Sequence, residues 1–230
     1  MTSKRIAVII LPLIAAVGCQ SGPLSRLAWS PFPQKDRTTY ETPRKRMDAA
    51  VAMGKQANGQ DTPEQQQLVG TLTRQLQSEP DPLVRDAIVK AVAKFRTPLA
   101  SQVLQAGLSD SDPLVRRRAC REIGRRGEAT QAQALAAVVR ADDDLDVRIE
   151  AVRALGHIEA PETTAALITA LEADDPAVQF AGVEAMRRVT GKDFGGDVRA
   201  YLAYAKGETP PSEDRSKTSI ASRLRRLSPF

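Results

Sequence analysis

The chain has 230 residues, 33 Lys and Arg against 28 Asp and Glu, one His and two Cys. With so little His and Cys it offers no zinc-type ligand set and no repeated His-Glu pairs, and a Cys–His or Ser–His–Asp arrangement would have to be built on a single imidazole. The net charge of +5 invites a nucleic-acid reading, but residues 61–206 hold 19 basic and 22 acidic residues. The basicity lies in the flanks, so we expect no nucleic-acid partner.

The first segment reads as an address. Lys4-Arg5 precedes an uncharged run from Ile6 to Val17, apolar apart from Pro12. That is too short to span a bilayer, which takes about 20 residues, and suits a secretory signal of residues 1–18. The run ends Ala16-Val17-Gly18-Cys19, which resembles a bacterial lipobox; that resemblance implies lipidation at Cys19. Ala-x-Gly also fits ordinary signal peptidase, which would leave a soluble exported protein. We expect an exported chain held by lipid to the bacterial envelope, facing the periplasm.

Residues 19–60 have little apolar periodicity and carry Pro23, Pro31, Pro33 and Pro43. They read as a flexible tether with a short helix around Arg44–Gln56; about 40 such residues span on the order of 35 Å. Trp29-Ser30-Pro31-Phe32 is either a docking spot or an incidental exposed cluster.

From residue 61 the same phrase returns four times: Asp81-Pro-Leu-Val84-Arg85, Asp112-Pro-Leu-Val115-Arg116, Asp144-Leu-Asp-Val147-Arg148 and Asp175-Pro-Ala-Val178-Gln179. The valines lie 31, 32 and 31 residues apart, the signature of a stacked repeat. Each phrase starts a helix, with Asp as N-cap and, in three of them, Pro in the first turn, where its missing N–H costs nothing. Counting from the valine, position +4 holds Ile88, Ala119, Ala151 and Gly182; +5 holds Val89, Cys120, Val152 and Val183; +8 holds Val92, Ile123, Leu155 and Met186. This is one buried stripe at a 3.6 period. A second helix precedes each phrase, with aligned positions Leu72/Leu76, Leu104/Leu108, Leu135/Val139 and Leu167/Leu171; the first opens on Thr62 with Gln65 three residues on. Each unit is therefore helix A, an acidic turn and helix B, and must stack on its neighbours to hide its apolar faces.

Asp-x-x-Val-Arg followed by Ala at +4 and Leu-Gly at +8 and +9, as in Val147-Arg148, Ala151 and Leu155-Gly156, resembles the bacterial HEAT-like repeat of the phycobilisome-lyase type. The resemblance covers residues 62–190. It implies an all-α, right-handed α-α superhelix of about four helix pairs over residues 61–206, with Arg85, Arg116 and Arg148 tying consecutive repeats and the B helices on the concave side. Gln179 departs from the pattern. Thr190 to Asp197 is similar to the segment that closes such arrays, and residues 197–206 read as a C-terminal capping helix. Residues 207–230 read as a disordered basic tail, which with the tether would suit an anionic membrane surface.

Positions +6 and +10 of the B helices point away from the stripe. They hold Lys90/Lys94, Arg121/Arg125, Arg153/His157 and Glu184/Arg188, and Arg117 and Arg118 stand beside them. Two readings are open: a solvated face paired with acids in neighbouring turns, or a basic ridge for an acidic protein partner formed by Lys90, Lys94, Arg117, Arg118, Arg121, Arg125 and Arg153. His157 reads as a C-terminal helix residue, favourable to the dipole when charged. Cys120 reads as a small core residue. We expect no catalytic residue, no metal site and no cofactor. The expected function is a non-enzymatic, lipid-anchored scaffold or adaptor; the alternative is an accessory or lyase-type enzyme subunit with a substrate on the concave face.

Overall fold

The structure is a computed structural model that describes residues 41–210. The expected signal segment, Cys19, the expected tether up to residue 40 and the expected tail from residue 211 lie outside the described residues.

Ten α-helices form the described chain: α1 (Pro43–Gly54), α2 (Pro63–Ser78), α3 (Pro82–Val92), α4 (Pro98–Gly107), α5 (Pro113–Arg126), α6 (Ala132–Ala141), α7 (Leu145–Leu155), α8 (Pro161–Leu171), α9 (Pro176–Thr190) and α10 (Val198–Ala205). The caps are those the repeated phrase dictates. Asp81, Asp112, Asp144 and Asp175 accept from the amides of Leu83, Leu114, Val147 and Ala177 at 2.8–2.9 Å. Thr62 accepts from the Gln65 amide at 3.4 Å. Gly127 and Gly191 end α5 and α9 at φ 66° and 67°, a conformation glycine adopts without steric cost.

The helices sort into two layers. The odd-numbered helices α1 to α9 stack on one another, and the even-numbered helices lie over them. The stripe at +4, +5 and +8 is buried throughout, together with Leu72, Leu104, Leu135, Leu167 and Leu171. The result is an α-α superhelix whose core runs from Ala50 to Tyr201. The capping helix is α10: Asp197 accepts from the Arg199 amide at 2.9 Å, and the fully buried Tyr201 donates to the Lys192 carbonyl at 3.2 Å.

One boundary differs from the sequence expectation. α1 is not part of a tether. It packs against α3 as the first member of the odd layer, and Ala50 and Gly54 are buried there. Thr42-Pro43-Arg44-Lys45-Arg46 is a fifth, degenerate copy of the phrase, with Lys45 in the valine's place and 39 residues from Val84 instead of 31 or 32. No A helix precedes it among the described residues, so its +4 position, Ala49, is exposed. The repeat array thus begins about 20 residues before residue 61.

Tight spacing within the odd layer comes from small residues. A Cβ built on Gly124 would lie 2.7 Å from the Ala154 Cα; one on Gly156 would lie 2.9 Å from the Ala185 Cα, and one on Gly54 3.0 Å from the Ala91 Cα. Each is a glycine at +9 facing an alanine at +7 of the next odd helix. The α3–α5 contact breaks this rule, with Ala93 and Glu122 in those places.

The arginine at +1 ties repeats as the resemblance implied, in two of three cases. Arg85 forks onto Asp110 at 3.0 and 2.7 Å, and Arg116 onto Asp142 at 2.8 and 2.8 Å. Arg46 of α1 does the same to Glu79 at 2.8 and 2.8 Å. Arg148 does not. Its expected acid would stand five residues before Val178, and that residue is Ala173. Gln179 keeps only the backward reach, donating to the Ala173 carbonyl at 2.8 Å.

Candidate functional site: the odd-helix face

In the even layer, a cleft of about 620 Å³ separates α4 from α6, lined by Gln102, Gln105, Ala106, Leu108, Ala134 and Val138. A stack held backbone-close in one layer and opened in the other curves with the tight layer inside. The odd-helix layer is the tighter of the two, which fits the concave placement that the resemblance implies for it.

Two rows of residues run along it. Position +10 holds Lys55, Lys94, Arg125, His157 and Arg188, one in each odd helix or just past its end; position +6 holds Val51, Lys90, Arg121, Arg153 and Glu184. Of the cations expected to form a ridge, Lys90, Lys94 and Arg153 are exposed and have no charged partner among the described residues. Arg125 is 63% exposed and touches Glu122 at 3.1 Å. The other three are committed within the fold. Arg117 reaches Asp146 at 3.1 Å, and Arg121 forks onto Glu150 at 2.9 and 3.0 Å. Arg118 is turned inward: it holds Asp86 at 2.8 and 3.2 Å and Glu122 at 3.4 Å, and only 18% of its side chain is exposed.

Between α5, α7 and α9 the rows wall a groove of about 400 Å³. Its floor is Gly124, Ala154 and Ala185, the same small residues that bring the helices together. Arg125, Arg153 and Arg188 stand over it, and Phe180, 64% exposed, forms part of its rim. Phe180 and Lys55 were not singled out from sequence. Phe180 sits at +2, off the buried stripe, and an apolar residue off the stripe is the signal that marks it. Lys55 needed the degenerate phrase of α1 to be aligned.

His157 corrects the dipole expectation. The Arg188 guanidinium can only donate, so the His157 Nε2, 3.0 Å away, must present its lone pair. Burial and the Arg188 charge both press the imidazole pKa below its ordinary value. The ring is neutral and braces Arg188 across the groove. Cys120 lies fully buried, and burial, with Asp142 and Glu150 nearby, pushes its thiol up to about 12. Among the described residues no group of three His, Cys, Asp or Glu is placed to hold a metal, and no helix is long and apolar enough to cross a membrane.

The family profile of HEAT repeats matches residues 69–151 and 135–215. The chain is a HEAT-repeat protein. Among solved structures, human deoxyhypusine hydroxylase in complex with glycerol is similar at 25% identity and a TM-score of 0.50, over 54% of this HEAT chain and 44% of that one. The HEAT-repeat chain thus spans less than half the length of that enzyme. The complex of CpcE and CpcF of phycocyanin lyase from Nostoc sp. PCC7120 is similar at 16% identity and a TM-score of 0.45, over 69% and 95% of the two chains. An engineered protein matches at 20% identity and a TM-score of 0.45, over 74% and 82%. No curated protein matches the chain.

Proposed function

We propose that this HEAT-repeat protein is a non-enzymatic scaffold or adaptor, held by lipid at Cys19 in the bacterial envelope, that binds an acidic protein segment along its concave face. The observation that carries the reading is the set of exposed, unpaired cations Lys90, Lys94 and Arg153, in register with the +10 row from Lys55 to Arg188. Cations committed to an internal acid have little to offer a partner, so the weight falls on these residues, joined by Arg125 because most of its side chain stays exposed despite its contact with Glu122, and not on Arg117, Arg118 and Arg121. Successive helices in a layer lie about 10 Å apart, so one extended anionic segment meets several cations. Phe180 supplies an apolar contact at the end of the path. Basic flanks beside a lipid anchor suit an anionic membrane surface.

The test is charge reversal where no internal pair is broken. Lys90→Glu with Lys94→Glu, and separately Arg153→Glu, should leave thermal unfolding near wild type and weaken capture of acidic partners from membranes, with binding that falls as salt rises. Capture equal to wild type would remove the concave face from consideration. The anchor is tested apart from this: Cys19→Ala should move the protein from the membrane to the soluble fraction. The rival reading, an accessory or lyase-type enzyme subunit using the same groove, draws on the likeness to human deoxyhypusine hydroxylase. A chromophore or metal retained by the purified protein would favour it.

A further inference from the structure

The turns between even and odd helices repeat one device, and the last of them omits its central part. In three turns a carboxylate stands two residues before the cap: Glu79, Asp110 and Asp142. Each does two jobs. It takes the fork of an arginine from the previous odd helix, and it accepts the backbone N–H of the cap residue, from Asp81 at 3.1 Å, Asp112 at 2.9 Å and Asp144 at 3.0 Å. In the turn between α8 and α9 the same place holds Ala173, which has nothing to accept with. The donors remain. The Arg148 Nε is buried and makes no hydrogen bond, and the Asp175 N–H has no counterpart of the bond that its three sisters make.

These are the donors that elsewhere converge on one carboxylate, and a cleft of about 640 Å³ opens over them between α6, α8 and the start of α9. A buried N–H without a partner is costly, and Arg148 is half-buried with its Nε–H left so at the cleft, so the site is primed for an incoming acid. The local acids do not serve. Glu172 is held by Lys206 at 2.8 Å, and Asp175 caps α9 through the amides of Ala177 and Val178. Asp174 is exposed and makes no ion pair among the described residues. Its counterpart one repeat earlier, Asp143, reaches Arg116 only as a second acid beside Asp142. Arg140 adds a second cation, and Val139 and Val178 give the cleft apolar walls suited to the stem of a glutamate.

The geometry points to Arg148 and the Asp175 amide as a receptor for one side-chain carboxylate of an acidic protein segment, completing from outside the repeat that Ala173 leaves without its acid. The site lies on the turn edge of the stack and does not depend on the concave-face reading.

The probe is N-acetylated hexaglutamate at low salt, followed by the NMR signal of the Arg148 Nε–Hε group in the full chain, assigned from its loss in Arg148→Lys. A saturable shift of that signal is expected in wild type. Ala173→Asp restores an internal carboxylate at a place where Asp110 and Asp142 are already accommodated. It should raise the melting temperature and weaken the hexaglutamate response at least tenfold. Asp174→Asn removes the neighbouring negative charge and should strengthen the response, which keeps the test open if Ala173→Asp folds poorly. Arg153→Glu with Arg188→Glu, on the concave face, should leave the Arg148 shift intact. A motionless Arg148 signal, an Ala173→Asp protein that responds like wild type, an Asp174→Asn response no stronger than wild type, or loss of the shift in the concave-face variant would each overturn the assignment.

Discussion

The two layers of this stack solve the same problem differently. Even helices bury leucines such as Leu104, Leu135 and Leu167 in the core, and a cleft opens between α4 and α6. Three of the four contacts between odd helices are Gly–Ala contacts at backbone distance, and Arg46, Arg85 and Arg116 clamp the following turns. The difference shows why the concave face is the surface to examine. The residues that set its spacing, Gly124, Ala154 and Ala185, also floor its groove, so packing and a binding surface rest on the same positions.

The largest expected effect lies where the layers meet. Ala151 is fully buried at +4 of α7. Ala151→Asp would place an unpaired charge there, at a cost of roughly 3–5 kcal/mol, enough to unfold the third repeat. Thermal and denaturant unfolding read this directly, and an unchanged melting temperature would refute the register assigned to the stripe.

Next comes the clamp of the odd layer. Arg116→Ala would leave Asp142, with 6% of its side chain exposed, without the fork that holds it. A loss of about 2–3 kcal/mol is expected at pH 7. The pH dependence has a definite sign. Burial opposes ionisation of Asp110 and Asp142, but Arg85 and Arg116 outweigh it and hold both carboxyls below their ordinary values; hydrogen bonding from Arg46 does the same to Glu79. The stability they contribute is present at neutral pH and is lost as the pH falls below about 4, the usual carboxylate range, through their lowered folded values. Arg116→Ala should therefore flatten the acid limb of the stability curve.

Much of this is legible in the sequence. A phrase that recurs at 31 or 32 residues fixes the helix starts, the stripe and the stacked class, because caps and periodicity are local. α1 was legible as a helix and not as a repeat, since Lys45 replaces the valine and α2 with its preceding loop lengthens the interval. The place given to Arg118 in the candidate ridge failed for a different reason. Its partner Asp86 lies 32 residues earlier, one period away, and residues one period apart become neighbours only when the units stack. Opposite charges separated by about one period were the available sign. The missing acid at Ala173 was visible as a gap in the acidic turns, but its consequence for Arg148 required the fork geometry of the other repeats.

Glycine substitutions separate the layers more finely. Glycine in a helix interior ordinarily costs about 0.5–1 kcal/mol relative to alanine. Gly70, in the even helix α2, has only the Arg74 Nη1 at 3.8 Å from a built Cβ, so Gly70→Ala should stabilise by about that amount. Gly124→Ala has the opposite sign: its Cβ meets the Ala154 backbone, which cannot move aside without parting α5 from α7, and overpacking of this kind costs about 1–3 kcal/mol. Equal shifts in melting temperature for the two variants would mean that the layers are not spaced as described.

The smallest effect concerns the concave face itself. His157 braces Arg188 only while its Nε2 is unprotonated. Burial and the Arg188 charge lower its folded pKa, so between the ordinary value near 6.5 and the folded value the unfolded chain binds a proton that the folded chain resists. Stability is unaffected above that window and declines as the pH falls through it. His157→Gln should remove this decline between pH 7 and 5 while leaving the neutral-pH melting temperature almost unchanged, because the residue is only partly buried and the ring's contact is a single bond. Arg188→Met should do part of the same by lifting the charge that depresses the imidazole. Protonation also frees Arg188 from its brace and adds a further cation to those of Arg125, Arg153 and Arg188 in the groove. An acidic segment on this face should therefore bind more tightly as the pH drops from 7 to 5, and the His157→Gln protein should lack that gain.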